Sequence, residues 1–91
     1  SKYMGFNLLV EQVLDQVGEL KAAYVIGDYA KGLDTGTIEV AIVGDIDSEY
    51  MERLVKRAQE ELDRKVKIDV FGDEASFRSQ GHQNVLKLIG E

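Results

Sequence analysis

The chain has 91 residues, of which 44% are apolar and 31% charged, with nine glycines and no proline, cysteine or tryptophan. A chain of this length forms one small domain with a modest core, and two domains enclosing a deep cleft are excluded. Seventeen acidic against eleven basic residues give a net charge of −6, which disfavours direct contact with nucleic-acid phosphates. The absence of cysteine excludes disulfides, thiolate nucleophiles and cysteine-based zinc sites.

The chain begins with an amphipathic pattern over residues 6–17, where apolar residues recur at helical spacing and predict a helix that ends near Gly18. No apolar run approaches the ~20 residues that span a bilayer, and no signal-peptide pattern opens the chain. We therefore expect a cytoplasmic protein without membrane contact. Because the chain starts at Ser1 without an initiator methionine, we expect residues 1–91 to be a single domain excised from a longer protein.

Two strands and a glycine-bracketed connection follow. Residues 22–26 form a short, continuous apolar run, which predicts a strand buried on both faces. The connection over residues 27–36 holds at most one helical turn, for which Asp28 is a candidate N-cap. Residues 38–43 predict a second strand, interrupted only by Glu39, and a carboxylate inside an apolar strand requires a physical reason.

A long amphipathic helix comes next, and either Asp47 or Ser48 caps its N-terminus. Its polar face places acids four residues before bases, the favourable order for helical ion pairs. These interleaved charges indicate a solvated helix face rather than a phosphate-binding patch. The pairs are Glu49/Arg53, Glu52/Lys56, Glu60/Arg64 and Glu61/Lys65.

The last third of the chain predicts a third strand over residues 66–71 and then a short helix through Phe77, which Gly81 can terminate. Residues 85–89 form a final apolar segment. This segment is either a fourth, edge strand or a terminal helical turn, because five residues are too few for periodicity to decide.

Two carboxylates are predicted to lie on one face of the sheet. Side chains two residues apart on a strand share a face, so Thr37 lies with Glu39, and Lys67 lies with Asp69. If these two strands are neighbours, Glu39 and Asp69 can approach one another beside the glycine-rich turn that precedes Thr37. Convergent carboxylates near a phosphate-sized turn are the layout of metal-assisted phosphoryl or nucleotidyl transfer.

These residues resemble the minimal nucleotidyltransferases, part of the polymerase-beta-like superfamily. That family has a strand ending in Gly-Ser, an Ala-Arg-Gly-like turn, an Asp-x-Asp strand, a helix and a later strand with a third carboxylate. The resemblance is carried by residues 25–32, 37–45 and 68–70. It implies an α+β nucleotidyltransferase-like fold, with a small mixed sheet of three to four strands flanked by helices. It also implies a nucleotide- and phosphate-binding turn formed by Gly27, Asp28, Lys31 and Gly32.

The departures from the family lie at the functional positions. Thr37 stands where the family has the carboxylate that ligates both Mg²⁺ ions. Glu39 and Asp69 match the second and third carboxylates, and they are the candidate catalytic residues and metal ligands. Asp28 replaces the serine that helps to hold the triphosphate, and at ~4 Å a unit pair of like charges repels by roughly 4 kcal/mol at an effective dielectric near 20.

Several interpretations of these carboxylates remain open. In the first, the carboxylates are surface polar residues or relics of an active ancestor. In the second, Asp28, Glu39 and Asp69 form an altered cation site. In the third, an intact two-metal transferase is present. The leading hypothesis is a catalytically degenerate pseudoenzyme domain that needs no cofactor and serves regulation by binding a ligand or protein partner. The alternative is a Mg²⁺-dependent transferase that moves a nucleoside monophosphate from its triphosphate to a protein or small acceptor. His82 is expected to be an exposed loop residue rather than a general base.

The closing residues 87–91 resemble the C-terminal strand of winged-helix transcriptional regulators that carry a nucleotidyltransferase-like domain. This resemblance implies a DNA-binding domain in the parent chain, with no direct nucleic-acid contact by residues 1–91. A third hypothesis is an oligomerisation module, which predicts an exposed apolar edge over residues 85–89 and a homodimer.

Overall fold

The computed structural model describes residues 18–89, and the helix predicted over residues 6–17 lies outside them. The strands, the long helix and the short helix predicted within this range are confirmed, and the undecided final segment is a strand. In chain order the elements are β1 (Gly18–Ile26), a 3-10 helix (Gly27–Lys31), β2 (Thr37–Ile46), α1 (Ser48–Leu62), β3 (Lys65–Phe71), α2 (Glu74–Ser79) and β4 (Val85–Ile89).

The four strands form one mixed sheet in the order β3-β2-β1-β4. β1 lies between β2 and β4 and is antiparallel to both, whereas β2 and β3 are parallel. A parallel pair needs a crossover connection, and α1 provides it. The predicted α+β class with a small mixed sheet is confirmed.

The apolar runs of β1 and β2 place core side chains on both faces of the sheet, so the prediction that residues 22–26 are buried on both sides is confirmed. One face packs against Met51 of α1. The other face packs against Phe77 of α2. Because α2 has only six residues, it covers part of its face, and Thr37 and Glu39 on that face remain partly exposed.

Aspartates fix the starts of both helices. The Asp47 carboxylate accepts a hydrogen bond from the backbone N–H of Glu49 at 3.1 Å, which makes Asp47 rather than Ser48 the cap of α1. The Asp73 carboxylate accepts from the backbone N–H of Ser76 at 2.7 Å at the start of α2. Within residues 18–89, neither helix is long and apolar enough to cross a membrane.

The ion pairs predicted at the end of α1 are wrong. The helix ends at Leu62, so Arg64 and Lys65 lie beyond it and neither forms a helical pair with the acid four residues earlier. Glu61 instead pairs with Arg57 of the preceding turn, with 3.3 Å between Oε1 and Nε.

Arg64 binds the loop that connects the 3-10 helix to β2. Its Nε lies 3.0 and 2.9 Å from the two carboxylate oxygens of Asp34, and this pairing raises the pKa of the guanidinium above its usual value. Asp34 also accepts a hydrogen bond from the backbone N–H of Gly36 at 3.0 Å. The loop that leads into β2 is therefore tied to the end of α1.

Candidate functional site

The predicted site residues surround a small hollow on the partly open face of the sheet. The hollow has a volume of about 180 Å³ and is lined by Asp28, Thr35, Thr37, Glu39 and Lys67. We call it the turn hollow. Three of its five residues were singled out from the sequence, while Thr35 and Lys67 were not.

The glycine-rich turn forms one side of the turn hollow. It is the 3-10 helix Gly27–Lys31, and the backbone of Gly27 (φ 73°) and of Gly32 (φ 90°) has the positive φ that glycine adopts most easily. The prediction that Asp28 caps this turn is wrong, because Ile26 is the N-cap residue and makes no side-chain capping bond. Asp28 lies in the first turn with an exposed side chain, at the mouth of the hollow.

Glu39 lies against this turn, which explains a carboxylate inside an apolar strand. The antiparallel register of β1 and β2 places Glu39 opposite Ile26, the residue just before the turn. A Cβ atom at Gly27 would overlap Oε2 of Glu39, so the carboxylate occupies space that only glycine leaves open. Its end therefore stays beside the turn and partly exposed, instead of being buried in the core.

The register of β2 and β3 decides which charge lies across from Glu39. Lys67 is its direct partner, and Asp69 pairs with Ala41 two residues further on. Glu39 and Asp69 thus lie on neighbouring strands and on one face, yet Asp69 does not line the turn hollow. Lys67 is the charged lining residue that the sequence analysis did not single out, although its alternation with Asp69 already placed it on this face.

The donor set of the turn hollow does not fit a pair of Mg²⁺ ions. Mg²⁺ prefers oxygen ligands, and two-metal chemistry needs carboxylates that hold both ions ~3.5 to 4 Å apart. The hollow offers the carboxylates of Asp28 and Glu39, two threonine hydroxyls and the ammonium of Lys67. Across residues 18–89, no three Asp, Glu, His or Cys side chains come together as a metal-holding group. Among the described residues, Asp28, Glu39 and Asp69 thus do not come together as a group of three carboxylates.

An aromatic cluster covers the same face beside α2. Tyr24 stacks on Phe77 with ring centroids 4.4 Å apart, and the ring centroid of His82 lies 5.7 Å from that of Phe77. The Tyr24 hydroxyl donates to the Glu74 carboxylate, which raises the pKa of the Tyr24 phenol, and burial raises it further. His82 is exposed, as expected. These contacts hold α2 on the sheet.

Comparisons with known proteins support the fold and do not test the candidate site residues. No family model and no curated protein matches the sequence. Solved structures do match. A chain of the Shewanella oneidensis complex between a tri-AMPylated HEPN toxin and MNT antitoxin has a TM-score of 0.71 and 17% identity, and the match covers 100% of this chain and 74% of that one.

Two further solved structures also match the fold of this chain. A chain of the toxin-antitoxin MntA-HpeT mutant Y104A has a TM-score of 0.73 and 19% identity over 93% of this chain and 72% of that one. A Sulfolobus solfataricus protein assigned as a nucleotidyltransferase has a TM-score of 0.57 and 22% identity over 89% of this chain and 73% of that one. The chain therefore has an α+β nucleotidyltransferase-like fold, as the family resemblance implied. None of these three structures supports the winged-helix regulator context.

Proposed function

We propose that this domain keeps the nucleotidyltransferase fold without two-metal transfer and acts in regulation by binding a protein partner. The observation that carries the proposal is the composition of the turn hollow. Thr37 stands where the family has its shared metal ligand, and Lys67 is the register partner of the remaining carboxylate, Glu39. Lys67 thus places a positive charge on the strand next to Glu39.

The charge of Lys67 also opposes a metal ion. Neighbouring strands lie ~5 Å apart, so the flexible side chain of Lys67 can bring its ammonium close to a dication bound by Glu39. The repulsion between a dication and an ammonium at ~5 Å is about 2 kcal/mol in water and about 7 kcal/mol at an effective dielectric of 20. With Thr37 in place of a carboxylate, only Asp28 and Glu39 in the turn hollow supply negative charge against this repulsion.

A protein partner is the role that the structural neighbours favour. One neighbour is a chain of a complex between a HEPN toxin and MNT antitoxin, and the match covers 100% of this chain. A regulatory domain of this fold needs only a stable surface and no turnover. A DNA-binding domain in the parent chain and a cytoplasmic location remain predictions.

The second candidate is a Mg²⁺-dependent transferase that moves a nucleoside monophosphate from its triphosphate to a protein or small acceptor. It is favoured by neighbours that contain a tri-AMPylated toxin and, in another structure, AMP-PNP. In that case Glu39 and Asp69 would ligate the metal. The phosphates would lie against the turn formed by Gly27, Asp28, Lys31 and Gly32.

The two candidates differ in whether a divalent cation binds at the turn hollow. Mn²⁺ broadens the NMR signals of amides near its binding site, so we would titrate Mn²⁺ into ¹⁵N-labelled protein. In the wild type we expect no saturable broadening confined to residues 27–39. In Thr37→Asp, which restores the missing carboxylate, we expect such broadening to appear, and in the matched control Thr35→Asp, which adds the same charge before the strand, we expect none.

Turnover is measured on the same samples as pyrophosphate released from ATP with Mg²⁺. Saturable broadening in the wild type, together with pyrophosphate release that Glu39→Gln abolishes, would refute the proposal and establish the transferase. Loss of both signals in Glu39→Gln with an unchanged circular dichroism spectrum would separate a lost ligand from a lost fold.

A further inference from the structure

β3 is the edge strand of the sheet on one side of the described chain. The backbone N–H of Lys65 donates to the carbonyl of Gly36 at 2.9 Å, toward β2. Because backbone groups alternate in direction along a strand, Val66, Ile68 and Val70 direct their N–H and C=O groups away from β2. An edge of this kind is a template for pairing with a further strand.

The side chain of Gln59 covers the start of this edge. Its Oε1 accepts a hydrogen bond from the backbone N–H of Val66 at 2.9 Å. Beyond that point, no strand among residues 18–89 pairs with the outward backbone groups of Ile68 and Val70, and we call these groups the open stretch of the edge. Open backbone groups lie here beside an apolar surface.

That apolar surface is a groove between α1 and β3. It has a volume of about 470 Å³, and Met51, Val55, Ile68 and Val70 are among its lining residues. Val70 is 45% exposed although its neighbours on the same face pack against the core. An exposed apolar side chain next to an open strand edge is a feature of strand-to-strand interfaces.

The sequence of β3 is complementary to itself. If a second β3 lies antiparallel with the two-fold axis through Ile68, then Ile68 faces its own copy, Val66 faces Val70, and Lys67 faces Asp69 in both directions. The first two pairs fall at hydrogen-bonded positions, which matches the outward groups of Ile68 and Val70. The N–H of Val66 already donates to Gln59, so at this position only the Val66 carbonyl is left to accept from the N–H of Val70 in the other copy. The Lys67 and Asp69 pair falls at the non-hydrogen-bonded position, where side chains approach most closely.

We propose that β3 is the interface through which two copies of this domain form a symmetric dimer, joining their sheets edge to edge. The two-fold axis is perpendicular to the sheet, so both α1 helices lie on one face and each groove faces the other copy. On the opposite face, the Asp69 carboxylate of each copy pairs with the Lys67 ammonium of the other.

The other edge of the sheet is less suited to this pairing. β4 also exposes apolar side chains, with Val85 at 43% and Leu86 at 41%, so the apolar edge predicted over residues 85–89 is exposed at its first two residues. However, the only charge on this strand is Lys87. No antiparallel register of β4 with its own copy can join opposite charges.

The test is a charge swap followed by sedimentation velocity over a concentration series from about 1 µM to 1 mM. Lys67→Asp makes both cross-strand pairs acidic and Asp69→Lys makes both basic. With each of the two pairs contributing about 0.4 to 0.7 kcal/mol and changing sign, we expect each single variant to dimerise roughly 10- to 100-fold more weakly than the wild type. An equimolar mixture of the two variants restores opposite charges, and we expect it to form a heterodimer.

The double variant Lys67→Asp with Asp69→Lys restores complementarity within one chain and is expected to dimerise like the wild type. Lys56→Asp, on the exposed face of α1, is the matched control and is expected to leave dimerisation unchanged. A wild type that stays monomeric at every concentration would overturn the proposal and leave this edge to a different protein. A dimer that both single variants retain unchanged would also overturn it.

Discussion

The contact between Gly27 and Glu39 can be tested by adding a single carbon. Gly27→Ala introduces a Cβ at a residue with φ 73°, where L side chains are disfavoured, and this Cβ overlaps Oε2 of Glu39. Gly32→Ala is the matched control, because Gly32 has φ 90° and nothing lies within 4 Å of its Cβ position. The two substitutions share the backbone cost and differ in the overlap.

The structure gives the size of each contribution. An alanine in the left-handed region costs about 1 to 2 kcal/mol. Displacing the end of the Glu39 side chain from its rotamer adds about 1 kcal/mol. We therefore expect the free energy of unfolding to fall by about 2 to 3 kcal/mol in Gly27→Ala and by about 1 to 2 kcal/mol in Gly32→Ala. In a Glu39→Ala background, Gly27→Ala should lose only the backbone contribution.

The assay is urea unfolding followed by circular dichroism for the wild type, both single variants and the double variant. The expected coupling between positions 27 and 39 is about 1 kcal/mol, which exceeds the ~0.5 kcal/mol within which independent sites add. The interpretation of Glu39 as a residue held against the turn is refuted if the two changes prove additive. It is also refuted if Gly27→Ala costs no more than Gly32→Ala.

Three further predictions concern the rest of the fold. The hydrogen bond to Glu74 raises the pKa of Tyr24, so the stability that this bond contributes is present below pH 10 and is lost as the pH rises and the phenol ionises. A spectrophotometric titration should show one late-ionising phenol, and Tyr24→Phe should remove it. Asp73 has a lowered pKa because its carboxylate accepts from the Ser76 backbone, so the wild type should lose more stability than Asp73→Asn as the pH falls below about 3.8, measured by urea unfolding at each pH. Val43 is fully buried, so Val43→Ala should lower the free energy of unfolding by about 2 to 3 kcal/mol in the same assay, and a loss below about 0.5 kcal/mol would contradict its place in the core.

Much of this fold could be predicted from local patterns, because strands and helices bury apolar residues with different periods. Short-range sequence signals were enough to predict the double burial of residues 22–26 and a helix cap at Asp47 or Ser48, of which the structure shows Asp47. The residue at which α1 ends could not be predicted from such local patterns. Asp63 ends it in the left-handed conformation with φ 53°, and Arg64 then binds Asp34, thirty residues earlier in the chain.

The candidate site shows the same limit. Alternation placed Glu39, Lys67 and Asp69 on one face, but it could not supply the register between β2 and β3. A shift of two residues would exchange Lys67 for Asp69 as the register partner of Glu39, and would place two carboxylates across from each other instead of an acid and a base. The chemistry of the turn hollow thus depends on a non-local pairing that no sequence window contains.

Lys67 belongs to both proposals, and the charge-swap variants separate its two roles. Lys67→Asp removes the ammonium across from Glu39 and also opposes dimerisation, whereas Asp69→Lys opposes dimerisation and leaves Lys67 in place. If the ammonium keeps divalent cations out of the turn hollow, Mn²⁺ broadening of residues 27–39 should appear in Lys67→Asp and remain absent in Asp69→Lys. Broadening in both variants would instead mean that the dimer, rather than the charge of Lys67, excludes the cation, and broadening in neither would mean that restoring a charge at Thr37 is required.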